Sequence, residues 1–96
     1  MSFLPFSPVG DTVSVTASGS SQSVALPSDA GYANVCRVVV SGAGVVAVKF
    51  GATATTSDMP LLGNTIELFA RGAATTLHVI AISGTPVVYA TVGIGA

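Results

Sequence analysis

The chain has 96 residues, of which only seven are charged, and its formal net charge is −1. The charged fraction is 7%, against about 25% in an ordinary soluble domain. Half of the residues are hydrophobic, and the mean hydropathy is +0.78. Such a surface has little charge to keep neighbouring molecules apart. The composition therefore favours an assembly subunit, and it disfavours an enzyme, because catalysis depends mostly on titratable side chains.

Composition also argues against several other classes of protein. No stretch approaches the about 18 consecutive apolar residues of a transmembrane helix, and the segment Met1–Phe6 lacks the basic region of a secretory signal. The single cysteine, Cys36, cannot form an internal disulfide. Three cations in separate segments make no basic patch. We therefore expect neither a membrane nor a nucleic acid as a partner.

The residue pattern predicts an all-β fold without a substantial helix. Val, Thr, Ser and Gly dominate, and turn-forming clusters separate the short apolar runs about every ten residues, which is typical of a sandwich or a barrel. We expect seven strands, or eight with the segment that carries Pro60, a residue suited to an edge or a bulge. In chain order these are Thr12–Ala17, Gln22–Leu26, Val35–Ser41, Val45–Phe50, Met59–Leu62, Thr65–Ala70, Thr76–Ser83 and Val87–Val92.

The chain divides into an arm, a domain and a tail. Residues 1–11 are predicted to be an extended arm, since Pro5 and Pro8 restrict the backbone around them. Residues 12–92 form the β-sandwich domain, and residues 93–96 a short C-terminal tail. An apolar arm either caps its own domain or docks on a neighbour, and we expect docking.

Alternation along the strands predicts which side chains face the core. The expected core is Val13, Val15, Val24, Leu26, Cys36, Val38, Val40, Val46, Val48, Phe50, Ile66, Leu68, Val79, Ala81, Val88 and Ala90. The positions that alternate with these are partly apolar as well, whereas a sheet that faces water shows polar residues there. Either a partner layer covers this second face, or loops of the same chain do.

No residue pattern marks a catalytic, cofactor or metal site. Gly42–Ala47 matches G-x-G-x-x-A after a strand, but strand residues follow it instead of the helix that a dinucleotide site needs. His78 is the only histidine and has no nucleophile motif beside it. Cys36 fits a small buried hydrophobe, and Asp58 and Glu67 fit surface or turn positions. We therefore expect a protein that is not an enzyme and that holds no cofactor.

Five segments carry a resemblance to a known group of proteins. They are Met1–Val13, Tyr32–Gly42, Val48–Gly51, Asp58–Phe69 and the final strand Val88–Gly93. On these segments, which cover most of the chain in order, the sequence resembles small virion proteins encoded among the head genes of tailed bacteriophages. The motifs are structural, and no catalytic position carries over.

The resemblance implies a capsid cement or decoration subunit with a small antiparallel β-sandwich of the jelly-roll type. Such a subunit sits on the outside of the head and stabilises contacts between major capsid proteins, its partners being the major capsid protein and itself, as a dimer or trimer. It implies residence in the host cytoplasm before assembly and on the capsid surface afterwards. A head-fibre or tail-associated binding module is the alternative.

The candidate interface residues come from the arm, one loop and the second apolar face. The arm contributes apolar side chains, Tyr32 lies in a loop beside Gly31, and the strand residues alternate with the predicted core. The predicted interface is Phe3, Leu4, Pro5, Phe6, Tyr32, Val39, Ile80 and Ile82.

Overall fold

The computed structural model describes residues 6–27, 34–71 and 74–95. Within these ranges the chain forms β-strands and connecting turns and no helix. The strands are β1 (Ser7–Pro8), β2 (Val13–Thr16), β3 (Gln22–Ala25), β4 (Val35–Ser41), β5 (Gly44–Phe50), β6 (Met59–Leu62), β7 (Thr65–Ala70), β8 (Thr76–Gly84) and β9 (Val87–Ile94). The predicted all-β class is confirmed.

Two antiparallel sheets make up the sandwich. The first sheet has the order β1-β9-β4-β7, with β2 also pairing β9, and the second has the order β3-β8-β5-β6. Strands β1 and β2 pair with successive parts of β9, so they form one edge strand that residues 9–12 interrupt. Counting that edge as one strand, each sheet has four strands, and every connection from β2 onward crosses between the sheets except the one from β5 to β6, as in a jelly roll.

The core lies between the sheets and is built almost entirely of small and medium aliphatic side chains. Leu77, Val38, Val40, Val46 and Val79 are fully buried there. Phe50 and Phe69 pack against this cluster with their ring centroids 5.5 Å apart. β-branched residues dominate because they favour the extended backbone and fill the space between two pleated surfaces.

Most of the predicted core is buried, but two residues of β7 are not. Ile66 is 55% exposed and Leu68 is 43% exposed, so their assignment to the core is wrong. The pairing with β4 explains the error, since Cys36 and Val38, which face the core, lie opposite Phe69 and Glu67. Residues directly opposite each other in a sheet share a face. Phe69 therefore points inward, and Ile66 and Leu68 point outward.

Both ends of the described chain belong to the first sheet. Ser7 pairs with Ile94, and Pro8 pairs with Gly93. The arm predicted for residues 1–11 and the tail predicted for residues 93–96 are therefore joined by strand pairing over part of their length. Gly93 is buried, and a Cβ on it would lie 2.6 Å from two carbon atoms of the Phe6 ring. The missing side chain leaves room for that ring to lie against the sheet.

Candidate interaction surface

The structure separates the predicted interface residues rather than gathering them. Phe6 and Val39 lie on the outward side of the first sheet, and both are half-buried. Ile80 and Ile82 lie on β8 of the second sheet, on the other side of the molecule. Phe3, Leu4, Pro5 and Tyr32 lie outside the described residues. The two outward sides of the sandwich therefore have to be considered one at a time.

The outward side of the second sheet, here called the covered face, carries a loop of the same chain. The backbone N–H of Ala54, in the β5–β6 loop, donates to Ser21 Oγ over 3.1 Å, next to the opposite edge strand β3. Lys49 points outward from β5, and its Nζ lies 3.7 Å from a carboxylate oxygen of Asp58 in the same loop. The hydrogen bond places the loop, residues 51–58, across the sheet, and the exposed ion pair lies at the end of the loop.

Burial under this loop confirms its position. Ala47 alternates with the core residues Val46 and Val48, yet it is 0% exposed, and Ala54 is 3% exposed. Neither alanine belongs to the main core cluster. A second, thin apolar layer therefore separates the sheet from the loop. Ile80, opposite Ala47 in the sheet, is half-buried.

Ile82 lies at a bulge in β8. Val45 of β5 pairs with Ser83 of β8, whereas the next residue, Val46, pairs with Ala81. Ile82 is thus the extra residue in β8, and 44% of its surface is exposed. A bulge changes the direction of the side chain it carries, so strand alternation alone does not place Ile82 beside Ile80.

The outward side of the first sheet, here called the open face, carries several neighbouring apolar side chains. Val39 lies between Tyr89 of β9 and Ile66 of β7 in one row across the sheet. In the next row, Arg37 lies between Thr91 and Leu68. Ile66, Leu68 and Tyr89 are each more than two-fifths exposed. Exposed large apolar side chains that adjoin one another mark an interaction surface more often than isolated ones do.

A depression of about 410 Å³ lies on the open face. Its apolar walls are Phe6, Pro8, Ile66 and Leu68, and its other lining residues are Thr12, Arg37 and Thr91. The hydroxyls of Thr12 and Thr91 are hydrogen-bonded to each other over 2.7 Å. This volume is within the range of about 300–1,000 Å³ that is usual for binding pockets. The depression depends on Phe6, because its ring forms one wall while lying over Gly93.

Further exposed apolar side chains lie along one edge of the sandwich. Strands β6 and β7 are joined by a turn at Gly63 and Asn64, and each is an edge strand of its own sheet. Asn64 has a positive φ of 59°, and its side-chain oxygen accepts the Gly42 N–H over 3.0 Å, which fixes the turn. Met59 and Leu62 on β6 are both more than half exposed. Of the seven exposed large apolar side chains in the described residues, four belong to these two strands.

Sequence reasoning did not mark Arg37, Ile66 or Leu68 as interface residues. Arg37 is a single cation within a run of valines, Val35–Val40. A charge in the middle of a strand indicates an outward-facing position, and it was the only signal that could have identified this row. The outward direction of Ile66 and Leu68 follows only from the register with β4.

The titratable groups of the described residues form no catalytic arrangement. Burial raises the pKa of the Cys36 thiol to about 11, although the charge of Arg71 and a hydrogen bond at Thr91 act in the opposite direction. Such a thiol is a poor nucleophile at neutral pH. His78 Nε2 lies 3.1 Å from the Thr76 hydroxyl, its hydrogen-bond partner. In the described ranges no three metal-binding side chains come together, and no helix there is able to cross a membrane.

Arg71, which the sequence did not single out, is the one buried charged residue in the described part of the chain. Its guanidinium donates to the carbonyl oxygens of Pro27 and Ala74, each over 3.5 Å. These contacts tie the end of the β3 segment to the turn after β7. Arg71 is therefore a structural cation at one end of the sandwich.

Comparison with known proteins identifies no relative of this chain. No protein-family model, no curated protein and no solved structure matches the chain significantly.

Proposed function

We propose that this chain is a capsid cement or decoration subunit that binds the outside of a bacteriophage head and stabilises contacts between major capsid proteins. The observation that carries the proposal is the difference between the two broad sides of the sandwich. On one side the chain's own loop buries Ala47, while the other side leaves Ile66, Leu68 and Tyr89 exposed around a depression.

The dimensions of the molecule suit this role. The domain measures 34 × 28 × 21 Å, so one broad side offers about the 800 Å² that each partner contributes to a standard protein interface. Apolar burial contributes about 25 cal/mol per Å² before the costs of association are subtracted. A shell binds many copies, so a modest affinity at each site is enough to reinforce the whole particle.

Fold and composition support the same role without deciding it. The jelly-roll architecture recurs in viral capsid proteins, but also in lectins and other families, and a fold does not by itself define a function. The strands of the open face present one outward charged residue, Arg37, which agrees with the depletion of charge from interface cores. The resemblance of five segments to small virion proteins encoded among phage head genes supports the bacteriophage head as the binding partner.

The copy number of the chain in purified virions tests the proposal directly. A cement subunit is expected at close to one copy per major capsid protein on a denaturing gel. Tens of copies per particle would favour a head-fibre or tail-associated module instead. Absence of the chain from virions would overturn both placements.

A pair of matched variants tests whether the open face makes the attachment. Ile66→Glu with Leu68→Glu places two charges on the open face, and Ser23→Glu with Ala25→Glu places two on exposed positions of β3 in the other sheet. The first pair is expected to abolish co-sedimentation with expanded heads that lack the native protein. The second pair is expected to co-sediment like the wild type. Equal binding by both pairs would contradict the assignment of the open face.

A further inference from the structure

Arg37 lies at the centre of the open face. None of the described carboxylates forms an ion pair with it. Arg37 is exposed on β4, between Thr91 on one side and Leu68 on the other. Within the described ranges its guanidinium makes no ion pair and no hydrogen bond. It lines the depression together with the Phe6 ring and Ile66. The depression therefore combines apolar walls with a single positive group.

None of the described carboxylates lies within ion-pair distance of the Arg37 guanidinium. Asp58 is paired with Lys49 on the covered face. Glu67 lies opposite Val38, on the core-facing side of β7, so it projects away from Arg37. Asp11 lies next to Thr12 at the rim of the depression and forms no ion pair with Arg37.

Covering the open face has a strict electrostatic requirement. A guanidinium removed from water without a counter-charge is strongly unfavourable, because the lost hydration is not replaced. The planar fork of arginine matches the two oxygens of a carboxylate, and this pairing gains strength when water is excluded. A partner that buries the depression must therefore bring a carboxylate to Arg37 and apolar side chains to Phe6 and Ile66.

A second copy of this chain fits the requirement poorly. Arg37 lies on β4, an inner strand of the sheet, so a two-fold axis through the middle of the open face would bring two Arg37 side chains together. Like charges that face each other in an interface weaken the affinity by about a hundredfold or more. The geometry therefore favours a chemically different surface.

We propose that the depression around Arg37 is the binding site for an acidic, otherwise apolar segment of the major capsid protein, with one Asp or Glu carboxylate paired to Arg37. This inference rests on the proposed function, since it names the chemistry of the partner at the same face. The carboxylate pairs with the guanidinium, and neighbouring apolar side chains of the partner fill the space between Phe6, Ile66 and Leu68.

Four variants, measured for affinity to expanded heads that lack the native protein, test the inference. Arg37→Met replaces the guanidinium with an apolar side chain of similar length and leaves the partner carboxylate unpaired. We expect binding about 30-fold weaker. Arg37→Glu should weaken binding further, by like-charge repulsion. Arg37→Lys should fall between Arg37→Met and the wild type, because it keeps the charge and loses the fork.

Lys49→Glu is the matched control. It makes the same change in net charge as Arg37→Glu, but on the covered face, where the Lys49 side chain is 48% exposed. Its affinity for heads should stay within about twofold of the wild type, since exposed ion pairs contribute little. Circular dichroism and thermal melting of all four variants, expected to match the wild type within a few degrees, show that the comparison is between folded proteins.

The possible outcomes separate the inference from the function it rests on. Binding by Arg37→Met that equals or exceeds that of the wild type would show that the face needs no carboxylate, and would overturn the inference while the cement function stands. A dimer of Arg37→Met in sedimentation velocity, with the wild type monomeric, would identify a second copy as the occupant and would also overturn it. Failure of the wild type itself to bind heads would overturn the cement function instead.

Discussion

Both broad sides of this sandwich carry outward-facing apolar residues, but a loop of the same chain lies over only one of them. On the covered face, the apolar Ala47 is buried beneath residues 51–58 of the same chain. On the open face, Ile66 and Leu68 have no described residue above them. A scarcity of charge therefore does not by itself identify an interface. The distinction lies in whether a connection is long enough to fold back over its sheet, as the β5–β6 loop does.

The largest expected effect separates the two sides of strand β7. Phe69→Ala should lower the free energy of unfolding by about 3 kcal/mol, because it removes a ring that packs on Phe50 in the core. Leu68→Ser, one residue away on the open face, should cost less than about 0.5 kcal/mol. Urea denaturation of both variants measures the difference. A greater loss for Leu68→Ser would mean that β7 faces the other way.

The same substitution on each outward face should give contrasting results. Ala47→Glu forces a carboxylate beneath the β5–β6 loop and should destabilise the fold by about 2 kcal/mol or more. Ile66→Glu adds the same group at a position that is 55% exposed and should change stability by less than about 0.5 kcal/mol. Thermal melting of the isolated proteins gives both values. Equal tolerance would show that the loop leaves Ala47 accessible.

A single hydrogen bond holds the middle of the covering loop. Ser21→Ala removes the acceptor of the Ala54 N–H and should cost about 1 kcal/mol. Hydrogen exchange at the Ala54 amide should become faster in this variant, whereas Ser23→Ala, at an exposed position nearby, should leave it unchanged. Unchanged exchange in Ser21→Ala would assign the attachment of the loop to other contacts.

The smallest expected effect is electrostatic and concerns the end of the same loop. The Thr55 N–H donates to Asp58 Oδ2 over 2.7 Å, and together with the nearby Lys49 it holds the pKa of the Asp58 carboxyl below the ordinary 3.8, against the opposing effect of desolvation. A carboxyl whose pKa is lower in the folded state stabilises the fold above its unfolded pKa, and this contribution is lost as pH falls through the folded value.

Titration of the Asp58 side chain by NMR should therefore give a midpoint below 3.8. Asp58→Asn should remove the corresponding part of the acid sensitivity and leave stability near neutral pH only slightly reduced, because the group is at the surface. A midpoint at or above the ordinary value would show that the Thr55 hydrogen bond is not maintained in solution.

Much of the fold was predictable because strand boundaries are local properties. The predicted β4, β6 and β7 have the observed limits, since turn-forming residues such as Gly42, Gly63 and Asn64 separate the apolar segments. The side of β7 that faces the core was not predictable, because alternation alone placed the apolar Ile66 and Leu68 inward. The observed direction follows from non-local pairing with β4, which places the larger Phe69 ring in the core.

The candidate site was less accessible to prediction than the fold. Its depression requires Phe6 to lie over Gly93, two residues that are adjacent only after the sheet has formed. The sequence indicated an apolar second face, and it could not show that the β5–β6 loop covers one sheet and leaves the other. Val39 was identified correctly as outward-facing, but its neighbours Tyr89 and Ile66 became visible only through the register.

The position of β9 has a consequence for how the protein is made. This late strand lies between β4 and the edge formed by β1 and β2, and it pairs Ala90 with Val13. The ribosome releases the chain at about 5–20 residues per second, so the first strands emerge seconds before the partner that they need. Until β9 is synthesised, the first sheet lacks its centre, and the nascent chain leaves the backbone hydrogen-bonding edges of β2 and β4 unpaired. We therefore expect closure of the sandwich to follow release of β9 from the ribosomal tunnel and to be slow, as in other folds built from distant pairings.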